Sequence, residues 1–549
     1  MKTLKATFNA FYKYGWSASL IILGGFAAAF TYSSSDDLYS NIRIFDKTAV
    51  TITSNYVENI DEDALIKAGI DGMTSKLDPY SRYLTGGDYD YLRQETDGEF
   101  NGIGVSLGAH HDTLTVESVL PDTPGDKHGI KPGDRLISID GVDILNFSDA
   151  KIRSMLHGAE GSTVNLSLHR PGNGHFNIDV IREKIEISPV TYYGLVSNGV
   201  GYIALSLFSD GACDKVSLAI KSMKKQGMKS LILDLRDNPG GLLMESVKLA
   251  SLFLPENSTV VETRGREGQI AESYKSTGND VFQSGELIII VNGETASAAE
   301  IVAGAIQDHD RGIIIGAATF GKGLVQQIMQ FSESSALKLT TAKYYLPSGR
   351  CLQKPDWSSF ELVKGKRLNS SDSLYRTASG RPVFGGGGIL PDIVIDEESP
   401  SAYVDFLQTE SCFFDYAVDY VKTHVVTSNF KISDSDMENF RAFLKSRHIQ
   451  FSSSERTAFN SFKEKLGVQG QRVISALAVI DTEIAAGENW QFDSNYKLVA
   501  RNLTEAIFNL AYGENGLYEH CFLKSDPEIL KGLTVLKDGA RYVDILSLN

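Results

Sequence analysis

Two short aliphatic runs, LIIIV over Leu287–Val291 and GIIIG over residues 312–316, bracket a stretch with little freedom in how it folds. Each has the length and composition of a buried strand. Between them a small-residue turn carries Ser297, and residues 298 to about 309 have the apolar spacing of a helix. A turn bounded by Gly316 and Gly323 follows the second run and carries Lys322, with Gln326 four residues on. The order strand, turn, helix, strand, turn places a serine at a helix mouth and a lysine in the turn that follows.

That pairing has a chemical reading. A serine hydroxyl is a poor nucleophile until a neighbouring base takes its proton. Lysine serves as that base only when neutral, and holding it so near pH 7 disfavours the ammonium by roughly 4–5 kcal/mol. Burial among apolar groups does this. Phe320, Leu324 and Val325 flank Lys322, and no acidic residue lies between Asp310 and Glu333 to keep it charged. At the helix mouth the Ala298 amide lacks a partner within the helix, and the helix dipole favours a developing oxyanion. Gln326 is placed to accept a hydrogen bond from the lysine and fix its rotamer. The candidate catalytic set is Ser297 as nucleophile, Lys322 as base and Gln326 as orienting partner.

The same residues have local alternatives. Ser297-Ala298-Ala299-Glu300 fits S-x-x-E, a plain capping box. Gly316, Gly321 and Lys322 match the G-x-x-x-x-G-K of a phosphate-binding loop, but Gly323 stands where Ser or Thr would hold magnesium, which speaks against a nucleotide.

Residues 295–301, TASAAEI, and residues 319–326, TFGKGLVQ, resemble the S-A-S-A-S/A-E-I and T-F-G-K-G-x-V-Q patterns of the C-terminal processing, or tail-specific, proteases. Thr295 stands for the first serine; nucleophile, lysine and glutamine all match. Ser-Lys pairs are a variant of triad logic. The resemblance runs from about residue 38 to residue 396 and implies an α/β peptidase core of the ClpP/crotonase kind that works without a cofactor.

The 549 residues suffice for three or more domains, and 42% hydrophobic with 22% charged residues describes a folded globular chain. A net charge of −16 argues against nucleic acid as a partner. The cysteines, Cys213, Cys351, Cys412 and Cys521, lie far apart without metal-ligand spacing, so no metal site is expected and buried thiols fit best. H-E-x-x-H and G-x-S-x-G are absent.

In chain order, residues 1–35 read as a targeting segment. Lys2, Lys5 and Lys13 precede an uncharged run, and Ala27-Ala28-Ala29 offers a cleavage site. Residues 14–32 are also long enough to anchor in an inner membrane, with Trp16 and Tyr32 as interfacial residues. A cleaved signal and a retained anchor both fit, and both place the bulk of the chain in the periplasm or cell envelope. Residues 36–97 form an N-terminal helical region, with helical periodicity over 63–73 and a break at Leu77-Asp78-Pro79-Tyr80-Ser81, a structural segment in the resembled family.

Residues 98–187 resemble a PDZ domain, most plainly in GIKPGDRLISIDG over residues 129–141. Gly102, Ile103, Gly104 and Val105 match the loop whose amides take a peptide carboxylate, and a strand from Val105 would pair with the peptide. A helix over 148–156 should wall the groove. His157 stands where relatives often carry an arginine that couples ligand binding to activation, and the resemblance leaves that coupling open here.

Residues 188–400 form the peptidase domain, with strands over 200–206 and 230–235 joined by a helix over about 210–226. DLRDNPGG over residues 234–241 resembles the family's D-x-R-x-N-x-G-G. The resemblance implies an oxyanion hole from a glycine amide here, Gly240 with Gly241 as the alternative, together with the amide of Ala298. Asp237, Asp308, His309 and Asp310 invite a triad reading, but the family pattern needs no histidine. PSGR at 347–350 and GILPDI at 388–393 also match family segments.

Residues 401–549 carry no catalytic motif and read as an α-helical C-terminal domain that packs, forms a homo-oligomer or docks an adaptor. Apolar positions from Val404 to Val421 read as one amphipathic helix; 437–444, 455–466, 473–485 and 496–512 look similar, with Ser433 and Asp434 as candidate caps.

The expected protein is a serine endopeptidase that grips substrates with apolar C-termini through its PDZ domain. The rival is a catalytically inactive PDZ adaptor, against which the intact Ser297, Lys322 and Gln326 stand.

Overall fold

The computed structural model describes residues 36–110, 113–266, 268–278, 281–354, 374–395, 401–467 and 470–547. The targeting segment read over residues 1–35 lies outside them. Among the described residues no helix is long and apolar enough to cross a membrane. The chain divides into two compact units, up to Tyr83 and from Leu84 onward.

In the first unit, helix α1 (Asp36–Asn55) and helix α2 (Glu62–Thr74) form a pair. The Asp61 side chain caps α2 by accepting from the Ala64 amide at 3.0 Å. The Phe45 ring lies so close to Gly69 that a Cβ there would be 2.7 Å from it. The Asp78 carboxylate accepts from the Tyr80 and Ser81 amides at 2.9 and 3.0 Å, which makes the segment after α2 a side-chain-pinned turn.

The second unit begins with helix α3 (Gly87–Asp97) and a small antiparallel sheet of β1 (Val105–His110), β2 (Thr113–Val119), β3 (Arg135–Ile139), β4 (Thr163–Arg170) and β5 (Gly174–Ile181), in that spatial order. Helix α4 (Asp149–Leu156), capped by Ser148, lays Ile152 and Leu156 on a core with Ile103, Val116, Ile139 and Leu166. This is the PDZ body.

The central sheet runs β6 (Val190–Ser197), β7 (Val200–Leu205), β8 (Ser230–Asp234), β9 (Leu287–Val291), β10 (Ile313–Gly316) and a last short strand, Ile393–Val394. β6 pairs antiparallel with β7; the remaining neighbours are parallel. β7, β8, β9 and β10 are buried along their whole length, which is why their sequences are continuous aliphatic runs rather than alternations. Helices α5 (Ala212–Lys225), α6 (Leu243–Ser251) and α7 (Ala298–Asp308) pack on one face. Beside it stands an antiparallel sheet that includes the hairpin β11 (Leu324–Ser332) and β12 (Ser335–Tyr345).

The C-terminal region is helical: α8 (Ala402–Thr409), α9 (Cys412–Thr423), α10 (Asp434–Ser446), α11 (Ser454–Leu466), α12 (Gln471–Ser494), α13 (Tyr496–Leu517), α14 (Pro527–Lys537) and α15 (Gly539–Ser547). The single helix read from Val404 to Val421 is in fact two. Glu410 ends α8, and Ser411 adopts φ +56°, a left-handed conformation that restarts the chain as α9. The apolar spacing survives because Leu407, Phe413 and Ala417 from both helices enter one core with Phe440 and Leu503. α14 and α15 do something else: Ile529, Leu533, Val535, Leu536 and Tyr542 cover the second face of the central sheet, against Tyr202, Ile232, Ile288 and Ile290.

Candidate active site

Ser297 sits where β9 and its turn give way to α7, at φ +55° and ψ −115°. A non-glycine residue at positive φ is strained and persists only where its surroundings impose it. Here the surroundings are hydrogen bonds to the loop after β8. The Thr295 hydroxyl donates to the Leu235 carbonyl at 2.8 Å, and the Ala296 amide to the Asn238 carbonyl at 2.9 Å. Asn292 exchanges two bonds with Asp237, at 3.0 and 2.8 Å.

The loop 235–241 brings Gly240 against the serine. A Cβ on Gly240 would lie 2.7 Å from the Ser297 Cβ and 2.9 Å from the Ala298 amide nitrogen, and its φ is +103°. Only glycine fits, for reasons of both space and conformation. The Gly240 amide itself donates to the Asn238 side-chain oxygen at 2.9 Å, so in this state it is engaged within its own loop. Gly241, at φ +132°, abuts the Phe208 carbonyl instead.

Lys322 is placed by Glu300, which the sequence offered only as half of a capping box. Its carboxylate is fully buried. One oxygen accepts from the Ser297 amide and from the Lys322 amide, each at 2.9 Å. The other accepts from the Gly321 amide at 2.8 Å and the Thr319 hydroxyl at 2.6 Å. Two backbone nitrogens bound to one oxygen cannot stand further apart than twice that bond. Burial pushes the Glu300 carboxyl above its usual range, and the four donors pull it back. Tyr344, buried on β12, makes a second bridge, its hydroxyl donating to the Ser297 carbonyl at 3.3 Å and to the Lys322 carbonyl. Gln326 lies on β11 and donates through Nε2 to the Thr340 hydroxyl at 3.1 Å.

Ser297, Ala298, Gly240 and the Lys322 backbone thus converge. Of the acid and histidine cluster, Asp237 lies in loop 235–241 bonded to Asn292, whereas Asp308, His309 and Asp310 stand at the far end of α7. His309 caps the far end of the eleven-residue α7, about 18 Å along the helix from Ser297, and its Nε2 meets the Thr259 carbonyl at 2.7 Å. Asp308 pairs with Arg350 at 2.8 Å and Asp310 with Arg381 at 2.7 Å. These ion pairs pin the PSGR segment and the strands near it to the end of α7.

In the PDZ body, Gly102 ends a short strand, Ile103 is buried, Gly104 takes φ +76° and Val105 begins β1. The Ile103 and Gly104 carbonyls accept from Gly125 and Leu120 at 2.7 and 2.9 Å, which fixes the loop. His157 closes α4, where its Nδ1 meets the Gln94 amide of α3 at 3.0 Å and its ring lies 5.0 Å from that of Phe100. Burial pushes the imidazole pKa down, aided by Arg153. The four cysteines are free thiols.

Residues 199–358 match the family model described as peptidase family S41, and residues 115–170 match a PDZ domain. Residues 404–536 match the model for a probable PDZ-protease C-terminal helical domain, and residues 29–86 that for the N-terminal domain of the activating protease CtpB. The chain is 32% identical over 392 residues to a carboxy-terminal-processing protease of Bartonella bacilliformis, across 70% of this chain and 82% of that one. It is 34% identical over 303 residues to a probable CtpA-like serine protease of Staphylococcus haemolyticus, across 54% of this chain and 60% of the relative. Among solved structures it is similar to a photosystem II D1 C-terminal processing protease, with 27% identity, a TM-score of 0.37, and coverage of 64% of this chain and 86% of that one.

Proposed function

The chain belongs to the carboxy-terminal-processing proteases of peptidase family S41, and on that premise we propose that Ser297 and Lys322 are the catalytic dyad of an endopeptidase that takes proteins by their C-termini. Neutral Lys322 removes the Ser297 proton as the hydroxyl attacks the scissile carbonyl. The tetrahedral oxygen is held by the Ala298 amide and by Gly240, whose amide exchanges the Asn238 oxygen for the oxyanion. Gly241 is the alternative donor. The lysine ammonium then protonates the leaving amine, and water releases the acyl-enzyme by the same route in reverse. Gln326 holds the lysine rotamer from the next strand.

The observation that carries this reading is the shared Glu300 oxygen, to which the amides of both segments are bound at 2.9 Å. A carboxylate buried at that expense ties nucleophile and base segments into one rigid body, as proton transfer between them requires.

The loop Gly102-Ile103-Gly104-Val105 receives a substrate carboxylate, and an apolar tail adds as a strand beside β1. The N-terminal segment, residues 1–35, exports the chain to the cell envelope, either cleaved after Ala29 or retained through residues 14–32 at the inner membrane; the first residue of the mature protein separates these. The helical C-terminal region serves self-association or an adaptor.

Ser297→Ala and Lys322→Ala, assayed on an unfolded protein with an apolar C-terminus, are each expected to lose at least about 1,000-fold in kcat. Lys322→Arg is expected to be equally inactive, because a guanidinium does not give up its proton. Wild-type rates in both alanine variants would end the dyad assignment.

A further inference from the structure

Arg236 lies between the strand that supports the oxyanion loop and the loop itself, two residues after Asp234 and four before Gly240. Its guanidinium is held on both sides. Nε donates to the two Asp234 oxygens at 3.1 and 3.0 Å, and Nη2 to one of them at 2.6 Å. On the other side Nη1 donates to Asp526 at 2.7 Å and to Glu528 at 3.3 Å. Asp526 and Glu528 belong to the start of α14, nearly three hundred residues along the chain. Asp526 is also the cap of that helix, its other oxygen accepting from the Ile529 amide at 2.9 Å.

α14 is not a loose appendage. Ile529 is fully buried on the central sheet, and the helix continues with Leu533 and Leu536 on the same face. Its first turn therefore stands fixed over the sheet edge from which the reactive loops emerge. Two carboxylates at a helix start are favoured by the dipole, and both face the one cation. All four charged side chains are largely shielded from solvent, so the pairing is stronger than a surface contact.

We infer that Asp526 and Glu528 are positioning residues for the peptidase reaction: through Arg236 they hold loop 235–241 in the register that sets Gly240 against Ser297. The C-terminal helical region thereby completes the active site although none of its side chains touches substrate. This rests on the Ser-Lys reading of the site.

The test uses the full chain carrying Asp526→Asn together with Glu528→Gln. Asparagine keeps the helix cap, so the variant removes charge rather than the helix start. The kcat for a peptide with an apolar C-terminus should fall about tenfold while KM stays within about twofold, measured well below the unfolding midpoint. The loss should be non-additive with that of Arg236→Gln, since both act through one contact. If the double variant does not fold, Glu528→Gln alone carries the test, because it leaves the Asp526 cap untouched. Unchanged kcat, or losses that simply add to those of Arg236→Gln, overturns the inference. Ser297→Ala run alongside separates the two readings. Should that variant stay active, the dyad assignment fails; should it be inactive while the charge variants keep wild-type kcat, only the role of α14 fails.

Discussion

The two faces of the central sheet are covered in different ways. On one, α5, α6 and α7 lie close in sequence to the strands they cover. On the other, α14 and α15 arrive from the far end of the chain, after a separate helical core has been built. Each face sends one acidic contact to the same sheet edge. Glu300 of α7 gathers the Ser297 and Lys322 segments, and Asp526 with Glu528 of α14 grips Arg236 in loop 235–241. The proposed active site is held like a plate clamped front and back. The front clamp binds the Ser297 and Lys322 segments directly, whereas the back clamp reaches loop 235–241 through one arginine, so the front should matter more.

Glu300→Gln tests the front clamp and should have the largest effect. An amide cannot accept from all four donors: each Glu300 oxygen serves two of them, so two are left facing an NH2 group, and of these only the Thr319 hydroxyl could turn to accept. We expect kcat to fall about 1,000-fold and stability by about 3 kcal/mol, read by peptidase assay and urea unfolding. A variant within twofold of wild type would remove the asymmetry between the faces.

The cores beneath the two clamps allow the comparison next in size. Ile306 on α7 and Ile529 on α14 are both fully buried, on opposite faces. Each change to alanine should cost about 3 kcal/mol and move a single cooperative transition. If Ile529→Ala leaves the transition of the catalytic core in place while Ile306→Ala shifts it, the back layer is a separable module.

Gly240→Ala comes third. Its Cβ would collide with the Ser297 Cβ at 2.7 Å and hold φ +103°. The loop must shift, and kcat should fall about 100-fold. Full activity would move the second oxyanion donor to Gly241.

The front face was readable in the sequence and the back was not, for physical reasons. β9 and β10 are continuous aliphatic runs because both their faces are buried, and such runs announce themselves. The helix between them follows from apolar period and its small-residue mouth. The helix over Pro527–Lys537 was not among the segments read from the sequence, and an amphipathic pattern would in any case say that a face is covered and not by what. Glu300 escaped for a related reason. S-x-x-E is a local pattern, whereas three of its donors come from residues 319–322, so its function depends on a loop that returns in space. The break at Ser411 was hidden because apolar spacing continues across it. The Gly240 contact followed from resemblance; that its amide is engaged by Asn238 is a matter of side-chain geometry that no motif encodes.

The smallest effect is electrostatic and belongs to the back clamp. Burial pushes the Glu528 carboxyl above its ordinary 4.5, Asp526 pushes the same way, and Arg236 opposes both. A carboxyl raised in the folded state binds its proton more readily there than in the unfolded chain. Its contribution is therefore fully present below the unfolded value and is lost as pH rises through the folded one. Glu528→Gln deletes this one titration and leaves Asp526, Asp234 and Arg236 in place. Urea midpoints taken at steps upward from pH 4.5 should fall less steeply in the variant than in the wild type. Glu300 shares the sign of the shift but is sealed from solvent and bound by neutral donors, so Asp526→Asn should alter the pH curve through Glu528 and leave the Glu300 contribution unchanged. Superimposable curves for wild type and Glu528→Gln would mean that the back clamp carries no strain of like charge, and that α14 holds Arg236 by hydrogen-bond geometry alone.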